Sequence, residues 1–395
     1  MAENMKYTIV DPVNKFDRGT VIKVFGVGGA GGNAVEHMIT SVVNGVDFVV
    51  ANTDSQALSH CSAPVQIALG DSGLGAGAIP EKGRAAAEAK LEDIRSALSG
   101  ANMVFITAGM GGGTGTGAAP IVAAMAREMG ILTVGVVTKP FRFEGTRRMR
   151  TAEKGIEELS NNVDALIVVL NDKLIEVLGD DASAEDCFRA ADDVLKNAVG
   201  GIVEIITAPG IMNVDFEDVR TVMSAMGRSM MGTATASGVD RARVAAEQAV
   251  ASPLLEGVNL STARGILVNV SGSKETLKTK EMSEVMEVVQ KLSCGMDEDH
   301  VIFGAVYDDT LGDELRVTVI ATGLNAAKAA MPEVVVSTNV RTGTDDMPDF
   351  SNVESPAVNR RHRRQTSVGS MTAQTLANSG VDHYAIPTFL RKQAD

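Results

Sequence analysis

Cysteine is scarce in this chain, and its arrangement excludes two classes of protein. Cys61, Cys187 and Cys294 are odd in number, far apart and without a C-x-x-C pair, which argues for reduced thiols rather than a disulfide framework or a metal site. The five histidines show no ligand spacing either. No apolar run reaches the length of a membrane span, and the charged segment from Met1 to Arg18 lacks the apolar centre of a signal peptide, so a soluble protein with cytoplasmic thiols is expected. Positive charge is also in deficit. The 36 Lys and Arg face 50 Asp and Glu, leaving a net charge of −14, the wrong sign for general affinity to nucleic acid. What the chain does have is length and apolar content: 395 residues, 45% of them hydrophobic, enough for one or two full cores.

It also has glycine in two telling places. Residues 109 to 117 read Gly-Met-Gly-Gly-Gly-Thr-Gly-Thr-Gly directly after the apolar run Met103 to Ala108, which reads as a buried strand. Such a loop brings backbone N–H groups, with the hydroxyls of Thr114 and Thr116, against anionic oxygens. The apolar run from Ala118 through Pro120 to Met129 then reads as a helix whose positive end faces the same anion. The alternative is a flexible surface loop, but such linkers seldom fall between a strand and a helix. No lysine follows the glycines, so this is not a Walker A loop. A second turn, Gly26-Val27-Gly28-Gly29-Ala30-Gly31-Gly32-Asn33, follows the apolar run from Val21 to Phe25 and satisfies G-x-G-x-x-G, with Asp54 where a ribose-binding acid is expected. Alone it suggests a nicotinamide oxidoreductase. Two phosphate loops fit that idea poorly, because a Rossmann site needs one.

Strand candidates 21–27, 47–52, 103–108, 131–138 and 164–170 alternate with helical segments such as Glu81 to Leu98, the pattern of an α/β protein with a parallel sheet covered on both faces. A long helix is expected from Asp186 to Ile206, stopped at Thr207-Ala208-Pro209-Gly210. Beyond it, helices 216–228, 239–250 and 277–292 alternate with strands 265–271, 300–306 and 314–322, the last two being candidates for antiparallel neighbours. Two domains joined by one helix is the simplest account. From about 330 to 380 the chain is rich in Ser, Thr, Asn, Asp and Pro, lacks any sustained period, and reads as a disordered linker carrying the basic cluster Arg360 to Arg364. That cluster reads first as a solvated tail, with contact to acidic lipid or nucleic acid as the alternative. The closing residues turn apolar again, and Tyr384, Ile386, Pro387, Phe389 and Leu390 look like a docking peptide.

At this point the residues carry a resemblance. Gly109 to Gly117 is similar to the tubulin signature G-G-G-T-G-[ST]-G, and with Asn213-Val214-Asp215-Phe216-Glu217-Asp218-Val219-Arg220 and the terminal peptide the chain closely resembles the FtsZ family, bacterial relatives of tubulin. The resemblance implies a tubulin-like fold: a flexible arm at 1–20, a GTP-binding domain at 21–185, a central helix at 186–207, a C-terminal domain at 208–325, a linker at 326–381 and a docking peptide at 382–395. It implies binding of GTP or GDP with Mg²⁺, head-to-tail assembly into protofilaments of a cytoplasmic, mid-cell division ring beneath the inner membrane, and attachment of the peptide to the anchors FtsA and, in some bacteria, ZipA. No direct membrane insertion and no specific nucleic acid partner are expected.

The resemblance also assigns a site. Gly28, Gly29, Ala30, Gly31, Gly32 and Asn33 in the first loop, and Gly111, Gly112, Gly113, Thr114, Gly115, Thr116 and Gly117 in the second, are the phosphate cradle. Glu144 and Arg148 are matched to ribose and phosphate contacts, for which a carboxylate and a guanidinium are suited, and at i, i+4 they also make an ordinary helix ion pair. Asn171, Phe188 and Asp192 are expected to select the base. Guanine presents N1–H and N2–H side by side, so the Asp192 carboxylate can accept both, while Phe188, one helical turn earlier, can stack on the ring. The residues alone leave open that Phe188 is core and Asp192 a solvated charge. No base stands beside the cradle, and no side-chain metal ligand is assigned. Asp215 and Asp218, with Asn213, follow the central helix, and the family resemblance places them in the next subunit's site to activate water. Asn213 and Asp215 as helix caps is the compatible alternative. A self-assembling GTPase leads; a dinucleotide oxidoreductase and a non-hydrolysing scaffold remain behind it.

Overall fold

The computed structural model describes residues 19–324, apart from 180, 209, 213, 225–226, 253–254, 256–262 and 293–300. Asn213, Cys294, the arginine cluster and the terminal peptide therefore lie outside the described residues. Within them one mixed sheet of 11 strands runs in the order β3-β2-β1-β4-β5-β6-β8-β11-β9-β10-β7. Its first part is parallel: β1 (Ile22–Val27), β2 (Val46–Asn52), β3 (Val65–Ala68), β4 (Met103–Gly109), β5 (Leu132–Lys139) and β6 (Ala165–Leu170). The inner strands β1, β4 and β5 are buried nearly end to end, as strands covered on both faces must be, while the edge strand β3 buries only Ile67.

Two apolar layers make that cover. On one face α1 (Gly28–Thr40) and the central helix α8 (Ala184–Thr207) pack Val35, Met38, Leu195 and Val199 against Val24, Phe105 and Val134. On the other, α3 (Pro80–Glu88), α4 (Leu91–Leu98), α5 (Thr114–Glu128) and α6 (Thr146–Ser160) enclose Phe25, Ile106, Val122 and Leu159. The remaining short helices of this part are α2 (Ser55–Ser59) and α7 (Asn171–Leu178). α8 starts where the Ser183 hydroxyl accepts from Asp186 N–H, and its 24 residues span about 36 Å.

The sheet continues into the second half through three parallel residue pairs, Ala165↔Gly227, Leu166↔Arg228 and Ile167↔Ser229, between β6 and β8 (Gly227–Ser237). There β7 (Gly210–Met212), β9 (Gly265–Gly272), β10 (Val301–Tyr307) and β11 (Glu314–Leu324) complete it, with α9 (Phe216–Met223), α10 (Arg241–Val250) and α11 (Thr279–Leu292). Four expectations need correction. Segments 300–306 and 314–322 are not neighbours, because β9 lies between them, parallel to β10 and antiparallel to β11. The helix expected over 216–228 stops at Met223, since residues 227–237 form the long strand β8 instead. The helix expected over 81–98 is two, interrupted at Ala89 and Lys90. Finally, the helix expected from Ala118 begins at Thr114, so half of the glycine run is already helical.

Candidate functional site

The two glycine loops follow β1 and β4, neighbouring parallel strands, so both arrive at the carboxyl edge of the sheet side by side. They touch. Gly28 holds φ +76°, and a Cβ there would stand 2.9 Å from the backbone nitrogen of Gly115. The two turns therefore form one continuous surface at that edge, so what reads as a separate Rossmann fingerprint is part of a double glycine turn. Asp54, the supposed ribose acid, is used otherwise, its Oδ1 accepting from the N–H of Gln56 and Ala57 as the cap of α2.

The second loop is shaped by its neighbours. Gly111 takes φ +100°, and a Cβ there would lie 2.7 Å from the Arg148 carbonyl. Gly112, Gly113, Thr114 and Gly115 line a cleft of about 260 Å³ together with Gly29, Ala30 and Asn33 of the first loop. Thr116 and Gly117 lie behind it. The Thr116 hydroxyl accepts the Gly111 N–H at 2.9 Å, fixing the loop, and Gly117 packs so tightly on Pro80 of α3 that any side chain would collide with that carbonyl. Both are phosphate candidates in the sequence; within the chain Thr116 holds Gly111 and Gly117 packs on α3. Gly28, Gly31 and Gly32 likewise shape the first turn from beneath the cleft wall.

Above the cradle the same cleft is walled by Glu144, Arg148, Asn171, Phe188 and Asp192. Glu144 sits in a 3₁₀ turn, Arg142–Glu144, where its Oε1 accepts from Phe141 N–H at 2.9 Å while Oε2 pairs with Arg148 at 3.1 Å. The i, i+4 ion pair is thus real and lies in the cleft wall. Asn171 opens α7, is only 4% exposed, and its Oδ1 finds no donor among the described residues. A buried acceptor left open at a cleft wall is suited to a ligand's N–H or O–H. Phe188 and Asp192 project from the first turns of α8, as their spacing required. Phe188 remains 46% exposed and is not core. Its ring meets Phe141 edge to face at 5.2 Å, and Phe141 in turn stacks on Phe143 at 4.9 Å. Sequence reasoning missed Phe141 as the buried base of this aromatic corner. Burial pushes the Asp192 carboxyl up to about 6, an effect that Asp193 reinforces and His37 opposes.

The acids stand elsewhere. Asp215 caps α9, its Oδ1 accepting from Asp218 N–H at 2.8 Å, so the capping alternative is present in the structure. Neither residue lines the cleft. Arg220 of α9 donates to the Gly130 carbonyl at 3.3 Å, just before β5 begins, whereas the cleft adjoins Thr138 and Pro140 where β5 ends. The length of an eight-residue strand, about 26 Å, separates the two edges.

A parallel sheet with paired glycine loops, a cleft walled by a long helix and a second mixed half define a tubulin-like protein. Comparison with known proteins agrees. Residues 21–179 match the family model of the Tubulin/FtsZ family, GTPase domain, and residues 227–325 that of the FtsZ family, C-terminal domain. The chain is 50% identical over 398 residues to the cell division protein FtsZ of Pseudomonas putida, covering 97% of this chain and 99% of that one. To the cell division protein FtsZ of Pseudomonas aeruginosa it is 49% identical, again over 97% and 99%. Among solved structures, an empty FtsZ dimer from M. jannaschii superposes with a TM-score of 0.74 at 40% identity, covering 78% of this chain and 89% of that one. A GTPγS-bound protofilament of CetZ2 from Haloferax volcanii shares the fold, with a TM-score of 0.67 at 22% identity over 78% and 95% of the two chains. The chain belongs to the FtsZ family, and it is a cytoskeletal GTPase of cell division.

Proposed function

We propose that this chain binds GTP in the cleft and hydrolyses it when a second copy docks its α9 edge onto that cleft, so that head-to-tail assembly completes the active site. The placement of cleft and acids on opposite edges of one sheet carries this reading. Within one chain Asp215 and Asp218 are a strand's length from the cradle; between stacked copies they face it. The carboxylates then orient and polarise the attacking water, while the helix end at Thr114 and the backbone N–H groups of both loops hold the phosphates. The cradle offers N–H groups and hydroxyls but no carboxylate, so Mg²⁺ would be held by phosphate oxygens and water, supplying charge neutralisation. Asp192, ionised, accepts both guanine donors, and Phe188 stacks on the ring.

In this reading residues 21–185 bind nucleotide, 186–207 form the central helix, 208–325 present the catalytic edge and 326–381 tether a docking peptide, 382–395, to anchors such as FtsA and ZipA. The site of action is the cytoplasmic division ring at mid-cell. One variant alone and one mixture test the central claim. Asp218→Ala should bind GTP normally and hydrolyse it about 10²–10⁴-fold more slowly. Adding Gly111→Val subunits, which keep the acids but lose the cradle, should restore phosphate release from the nucleotide held by Asp218→Ala. Loss of GTP binding by Asp218→Ala in dilute monomer would overturn the assignment. Deleting 382–395 should leave GTP-dependent sedimentation intact and abolish recruitment to anchor-bearing vesicles; unchanged recruitment would move the anchor site elsewhere.

A further inference from the structure

Thr53 follows β2 and was not singled out by any motif, yet it is bonded both to the second glycine loop at Thr114 and to the stretch that packs against that loop at Gly113. Its Oγ1 lies 2.6 Å from Oγ1 of Thr114, the signature threonine that lines the cleft. Its carbonyl accepts the N–H of Gly75 at 3.1 Å, in the glycine-rich stretch whose Ala76 and Ile79 press against Gly113. Thr53 is itself 5% exposed and does not line the cleft, so whatever it does it does through Thr114.

The direction of the hydroxyl–hydroxyl bond follows from the ligand. A phosphate oxygen accepts and does not donate, so Thr114 must turn its O–H toward the phosphate and can offer Thr53 only a lone pair. The Thr53 hydroxyl must then be the donor. We infer that Thr53 is a positioning residue for nucleotide binding: by donating into Thr114 Oγ1 it fixes the Thr114 rotamer and aims the Thr114 proton at the phosphate, and a donor feeding an oxygen that itself donates strengthens the second bond. The inference rests on Thr114 being a phosphate ligand, and it adds a supporting residue from the turn after β2.

A double-mutant cycle in the full-length protein decides it, read as GTP and GDP affinity below the assembly concentration. Thr53→Val keeps the shape and removes the hydroxyl; it should weaken both nucleotides about tenfold, the scale of one lost hydrogen bond. Thr53→Ser should restore affinity to within about twofold, since the donor returns. Thr114→Val should weaken binding as well, and the double variant should bind no worse than Thr114→Val alone, because without Thr114 there is nothing for Thr53 to aim. A role confined to packing would instead give multiplying losses and no rescue by serine. Unchanged affinity in Thr53→Val, beside a weakened Thr114→Val, overturns the inference; unchanged affinity in Thr114→Val overturns the cradle reading beneath it. Should Thr53→Val fail to fold by thermal melt, Thr53→Ala, which leaves room for water, runs the same cycle.

Discussion

Asp192 pairs a proposed role in base binding with a cost in stability. Its value in the folded, nucleotide-free chain is raised to about 6 by burial. A raised value means the protonated group favours folding and that this contribution is lost as pH rises through about 6. At pH 7 the ionised side chain therefore burdens the empty protein. Asp192→Asn should raise the melting temperature of the nucleotide-free chain by about 2–4 °C while weakening GTP by about tenfold or more. The pH dependence should separate the two proteins. Guanine donors hold the carboxylate ionised, so wild-type affinity should fall as pH drops below about 6, whereas the asparagine variant should bind with little change across pH 5–7; equal slopes in a titration would remove Asp192 from base recognition. Gly111→Val makes a second residue-scale test, since it meets both a left-handed φ and the Arg148 carbonyl, and nucleotide binding should be lost with it.

Among elements, α9 combines two roles that can be taken apart. Asparagine caps helices about as well as aspartate, so Asp215→Asn should keep the bond to Asp218 N–H and the thermal stability of the chain while reducing hydrolysis. Asp215→Ala should lose the cap as well, about 1 kcal/mol, visible as a lower urea midpoint. Equal hydrolysis by wild type and Asp215→Asn would leave capping as its whole role. The same elements show what the sequence made legible. Both glycine loops and the long helix stood out because strand, turn and helix signals there agree within a few residues, whereas Phe188 and Asp192 were singled out by the family resemblance, the residues alone leaving a core ring and a solvated charge equally open. The strand β8 did not, since Gly-Arg-Ser-Met-Met-Gly-Thr-Ala-Thr-Ala-Ser offers small and polar side chains in place of an alternating apolar face. Its order comes from β11, paired from Ser237 to Arg228 along its length. The insertion of β9 between β10 and β11 is likewise set by long-range pairing. Thr53 was invisible for the same reason: its partner lies 61 residues away.

For the whole molecule, the proposed assembly, with one cleft at one edge of the sheet and one pair of acids at the other, would make turnover a property of contacts between copies. Phosphate release per subunit should rise steeply with protein concentration, in step with sedimented mass; a rate per subunit that is flat from dilution upward would make the single chain a complete enzyme. The two edges also differ from each other, which gives any row of copies a direction. At one end the last subunit shows its cleft to solvent with no neighbour's carboxylates over it. Its triphosphate is out of reach of catalysis for as long as it remains last. Every row, however long, should therefore retain one unspent nucleotide at a fixed end, so that in a single round of turnover the uncleaved remainder counts filaments and not subunits.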